Sequence, residues 1–146
     1  MASSEGNDRY DLERFVAAQQ GVYERACAEL RAGSKRSHWM WFIFPQIRGL
    51  GASEMSVRFA LSSLDEARTY LAHEVLGPRL REVTAIVAAL RGKTVEQIFG
   101  YPDDLKFHSS MTLFAKAAES ESIFEIVLGR YFSGKMDPET LKRIGA

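Results

Sequence analysis

The chain has 146 residues, of which 46% are hydrophobic and 26% charged, the make-up of one globular domain that buries its core without metal or disulfide staples. Lys and Arg number 19, as do Asp and Glu, so the formal net charge is zero. That balance argues against a protein that coats duplex nucleic acid, because such binding runs on an excess of cations over phosphate.

Residues 1–9 read as a flexible polar tail without the apolar segment of a secretory signal, and a single helical domain is expected over 10–146. Leu12, Phe15, Val16, Gln19, Val22, Tyr23, Ala26, Cys27 and Leu30 then recur at three- and four-residue steps, one face of a helix. Asp11 is placed to cap it and Gly33 to end it, with Gly21 an internal cost. Cys27 is the only cysteine, so no intramolecular disulfide or cysteine-based zinc cluster is available. In that apolar stripe it reads as buried filler rather than as a reactive thiol.

The 34–46 stretch holds both tryptophans of the chain, His38, and the cations Lys35 and Arg36. Its apolar run, Trp39-Met40-Trp41-Phe42-Ile43-Phe44, fits a buried strand or a short helix capped by Ser37 and stopped before Pro45. No comparable partner strand exists elsewhere, and a lone strand leaves its backbone groups unpaired, so a helix is expected. Ser53 and Ser63 open two further short helices, the second as the capping box Ser63-x-x-Glu66. Pro78 suits the first position of the next helix, whose stripe is Leu80, Val83, Ile86, Val87 and Leu90. Thr94-x-x-Gln97 repeats the capping box. A turn at 101–104 leads into a helix through Phe114. Ser122 opens another, and Asp137-Pro138-Glu139 starts the last with cap, proline and acid in order. The expectation is an all-α domain of about seven to nine short helices. No apolar run approaches the ~18 residues of a membrane span, and a cytoplasmic protein follows.

Two clusters carry candidate chemistry. Lys35, Arg36, Ser37 and His38 precede the tryptophans, placing charge and helix N–H groups beside faces that can stack a planar ring. The plainer reading makes Lys35 and Arg36 solvated loop charges and the tryptophans core. The second cluster runs Asp103-Asp104-x-Lys106-x-His108-Ser109-Ser110-x-Thr112, with carboxylates, an amine, an imidazole and hydroxyls for acid–base or nucleophilic work. Its plainer reading has Asp103 capping a helix, Lys106 pairing with Asp103, and Ser109 or Ser110 capping a turn. His38, His73 and His108 lack metal-ligand spacing, so no metal site is expected. No glycine loop for a nucleotide phosphate is present, and no cofactor is implied.

The run His38-Trp39-Met40-Trp41-Phe42-Ile43-Phe44-Pro45-Gln46 with Gly49-Leu50-Gly51 resembles the hallmark of a bacterial family, domain of unknown function 1810. Asp103-Asp104-Leu105-Lys106 with Ser109-Ser110-Met111-Thr112-Leu113-Phe114 resembles a second hallmark, and Tyr70-Leu71-Ala72-His73 with Leu76-Gly77-Pro78-Arg79-Leu80 a third. His108 departs from the family pattern. The resemblance spans almost everything from Tyr10 onward and implies a small, mainly helical domain without an assigned activity. Family members often carry the label calpastatin, which does not suit this chain: a calpain inhibitor works as a disordered segment, and the periodicity here is that of a folded one.

Polar hallmarks far apart in sequence suit one shared pocket. Lys35, His38, Trp39, Trp41, Gln46, Asp104, Lys106, Ser109 and Ser110 are therefore expected to line a cleft for a small anionic, nucleotide-like ligand, with His38 the candidate acid or base if the cleft is catalytic. Two other classes stay open. An interaction module needs Trp39, Trp41 and Phe44 exposed, and a single-stranded nucleic-acid binder needs those rings flanked by Arg36, Arg48 and Arg58.

Overall fold

The computed structural model describes residues 8–120 and 122–145. Over them the chain forms ten helices: α1 Glu13–Gln19, α2 Tyr23–Arg31, α3 Met40–Ile43, α4 Glu54–Arg58, α5 Leu64–Ala72, α6 Leu76–Ala89, α7 Val95–Phe99, α8 Asp103–Ala117, α9 Ile123–Phe132 and α10 Pro138–Ile144. The all-α expectation holds. Extended pairing among the described residues is limited to one bridge between Ile47 and Leu61, whose N–H bonds tie Arg48 to Leu61 and Leu61 to Gln46 at 2.8 and 2.9 Å.

The tenth helix comes from a break in the first apolar stripe. Gly21 takes φ +72°, a left-handed conformation that glycine adopts without a side-chain clash. The chain turns there, so α1 and α2 are separate elements. Most of the expected tail lies outside the described residues, but its last two described residues are engaged. The Asp8 carboxylate accepts the N–H groups of Leu12 and Glu13 at 2.6 and 3.3 Å, the role expected of Asp11, and Arg9 pairs with Asp65 at 3.6 Å.

Other helix starts follow local chemistry closely. Ser53, Ser63, Thr94, Ser122 and Asp137 each accept the N–H three residues on, and Thr94 with Gln97 forms the complete reciprocal box. The Ser63 box is only half formed, because the Glu66 carboxylate turns to the Ser62 N–H and hydroxyl, each at 2.7 Å. Helix α6 begins two residues before Pro78, since the His73 ring nitrogen accepts the N–H groups of Val75 and Leu76. Gly77 in that first turn packs against α5, where a Cβ would lie 2.1 Å from the Leu71 carbonyl oxygen.

Helix α8 is the axis of the molecule. Every residue from Ser109 to Ala115 is buried, so that part of the helix is covered on all sides, and α5, α7, α9 and α10 pack on α8. Its hydroxyls fit this setting by bonding back one turn: Ser109 donates to the Leu105 carbonyl and Thr112 to that of His108, at 3.1 and 2.9 Å. Aromatic rings fill the space on either side. Phe44 meets Phe107 and Phe99 edge-on at 5.0 and 5.8 Å, and Phe15 meets Tyr70 edge-on at 5.2 Å. Such pairs add to the area they bury through favourable quadrupole geometry. Cys27 belongs to this core, and burial raises its thiol pKa.

Candidate functional site

The 34–46 stretch divides at Met40. Its first half is fastened by Glu29 on α2, whose carboxylate accepts the N–H groups of Arg36 and Ser37, the Ser37 hydroxyl and the Trp39 indole N–H, all within 3.0 Å. Partial burial raises the Glu29 carboxyl pKa, but those four donors outweigh it and hold the group at about 2. Ser37 is therefore spent on Glu29 and does not cap α3, which has no side-chain cap. The Trp39 ring is fully buried.

Lys35 is equally committed. Its ammonium pairs with Asp103 at 2.7 Å and donates to the Ser37 carbonyl at 2.6 Å, and its side chain is 7% exposed. Its own N–H donates to the Ile98 carbonyl at 2.7 Å. Asp103 opens α8 and is shared with Lys106 at 3.5 Å. The two lysines thus stand on one side of the molecule, joined through a single carboxylate, and each lies about one ring thickness off a tryptophan: Lys35 4.9 Å from the Trp39 centroid and Lys106 5.0 Å from that of Trp41.

Of the second half only Trp41 and Gln46 are incompletely buried, and both border open space. A cleft of about 260 Å³ lies between the 46–56 segment, the N-terminal half of α8 and the start of α10, with Gln46, Ser56, Lys106, Ser109, Asp137 and Glu139 as its polar lining. Adjoining it is a recess of about 10 Å³ walled by Trp41, Ile47 and Phe59. Gln46, Leu50, Gly51 and Ser56 line both spaces. The recess is the size of one water or one ligand oxygen. Gly51 keeps it narrow and close-walled, since a Cβ there would sit 2.6 Å from the Ser56 hydroxyl oxygen.

Buried polar atoms ordinarily find partners. Two among the described residues do not: Nε1 of Trp41 and the hydroxyl of Ser110. The Trp41 side chain lines the recess that adjoins the cleft, and its N–H is a buried donor without a partner among the described residues. Ser110 is fully buried within α8 and lines neither space.

Of the nine residues expected in one cleft, Trp41, Gln46, Lys106 and Ser109 line the cleft or its recess. Lys35 and Trp39 are buried structural members. His38 is exposed and outside both linings, so the geometry gives its imidazole no place in the cleft. The Asp104 carboxylate accepts the N–H of Leu105 at 2.9 Å, within the first turn of α8. His108 lies flat on Phe132 at 4.0 Å with a ring nitrogen 2.8 Å from the Lys135 carbonyl, a packing role. Trp39 and Phe44 are both fully buried, so the exposed patch of Trp39, Trp41 and Phe44 expected of an interaction module is not formed.

Asp137 and Glu139 are the cleft residues the sequence concealed. Both sit in a helix-start pattern that accounts for them locally, and only the return of α10 to α8 brings them to the cleft. Among the described residues no cluster of His, Cys, Asp and Glu suited to a metal ion is present, and no helix is long and apolar enough to cross a membrane.

Against known proteins, residues 9–144 match the family model described as Protein of unknown function (DUF1810). The crystal structure of the conserved hypothetical protein Rv1873 from Mycobacterium tuberculosis is similar at a TM-score of 0.91 and 52% identity, over 93% of this chain and 97% of that one. No curated protein matches the chain.

Proposed function

The chain belongs to the family described as Protein of unknown function (DUF1810), and we propose that its cleft binds a small anionic metabolite. The observation that carries this reading is the buried Nε1–H of Trp41, beside the recess, which has no acceptor among the described residues. Leaving such a donor unpaired costs about 1–3 kcal/mol, a cost that a ligand oxygen in the recess would remove. The Gln46 amide and the Lys106 ammonium supply further donors along the same path. At about 260 Å³ the cleft falls just below the ~300 Å³ at which drug-sized pockets begin. It suits a small metabolite and not a polymer.

The nucleotide-like form of that ligand rested on ring stacking. Trp39 is closed to it by burial, and Lys106 lies near the ring of Trp41, so the anionic group is the part of the expectation that the lining favours.

The test is a thermal-shift and calorimetric screen of carboxylates and phosphates against the native protein, Lys106→Met and Trp41→Phe. A true ligand at ~100 times its Kd adds about 2.7 kcal/mol to stability, and both substitutions should reduce that gain. A screen without a stabilising anion, or one whose hits bind both variants as well as the native protein, rejects the reading.

A further inference from the structure

We infer that the ligand is a zwitterion of amino-acid size, its carboxylate at the Trp41 end of the cleft and its ammonium beside Asp137 and Glu139. This rests on the cleft being a ligand site and adds the class of ligand. Unspent groups are distributed unevenly along the cavity. Donors gather at the Trp41 end, where Gln46 and Ser56 border the recess beside an indole whose N–H has no partner among the described residues. Carboxylates hold the outer end. Asp137 uses Oδ2 for the Thr140 N–H and hydroxyl and for the Ser109 hydroxyl, while Oδ1 has no hydrogen bond among the described residues. The Glu139 side chain is 55% exposed and meets Arg143 only at 3.6 Å.

The fixed charge points the same way. Lys106 is the one cation in the lining, and it is already shared with Asp103. A phosphate dianion would therefore face two carboxylates across a space of about 260 Å³, with Lys106 shared with Asp103 and Arg143 paired with Glu139. A molecule carrying one charge of each sign meets a complementary group at each end.

Calorimetric titration with free amino acids, the matching 2-hydroxy acids, the matching amino-acid amides, inorganic phosphate and nucleoside monophosphates separates the outcomes. The inference expects at least one amino acid to bind, with its 2-hydroxy acid and its amide each weaker by about tenfold or more. Glu139→Gln, at an exposed position, should leave Tm unchanged and shrink the amino-to-hydroxy ratio to about threefold or less. Equal binding of amino and hydroxy acids, or binding of phosphates and no amino acids, overturns the zwitterion while the anion cleft stands. Binding by none of the probes overturns both.

Discussion

Two tryptophans two residues apart lead opposite lives. Trp39 is fully buried and its N–H is spent on Glu29, 2.9 Å away. Trp41 is partly buried and lines a recess, and its N–H has no partner among the described residues. Lys35 and Lys106 repeat the contrast: the first is 7% exposed and locked at 2.7 Å, the second 23% exposed and held at 3.5 Å by the same carboxylate. Where every polar group is satisfied, the region explains itself as structure. Where a buried donor is left over beside a cavity, the described residues supply no partner for it, which is the basis of the proposed ligand site.

The largest expected effect tests the structural half. Trp39→Ala should cost about 3–5 kcal/mol, the range for truncating a buried aromatic, read as a lower urea midpoint. Lys35→Met comes next at about 1–3 kcal/mol, below the cost of fully breaking a buried pair because Asp103 keeps Lys106. Glu29→Gln should cost about 1–2 kcal/mol through its weakened hydrogen bonds, and it also changes the pH profile. The Glu29 carboxyl is held at about 2, below its ordinary 4.5. A depressed carboxyl stabilises the fold above the ordinary value, and that contribution is lost as pH falls from about 4.5 toward 2. Native protein should lose stability across that window more steeply than Glu29→Gln, as acid titration followed by circular dichroism would show.

The smallest stability effects belong to the open half. Lys106→Met should change stability by less than about 1 kcal/mol, as befits a partly exposed pair. Trp41→Phe should stay within about 1 kcal/mol, since no hydrogen bond is lost and only ring area changes. Both should weaken ligand binding far more than they alter Tm. A Trp41→Phe protein as unstable as Trp39→Ala would erase the division between the two halves.

The sequence carried the helical architecture because a helix start is a local event. Ser53, Thr94, Ser122 and Asp137 cap the helices their spacing announces, and the apolar stripes face inward as their period requires. It misplaced Asp11 and Ser37 as caps because the competing partners are not in the pattern: Asp8 supplies the carboxylate at one, and Glu29 takes the hydroxyl of the other from eight residues upstream. The Glu66 side chain left its box for Ser62 in the same way.

The sequence determined the all-α class, most helix starts and the two polar clusters that meet at Asp103. Tertiary structure alone decided which of those polar groups are consumed and which remain. Satisfaction of a buried donor depends on whatever the fold brings within about 3 Å of it, and spacing along the chain does not encode that distance. Lys35 and Trp39 were absorbed by Asp103 and Glu29, Asp137 and Glu139 were delivered by α10, and the Trp41 N–H was left without a partner among the described residues.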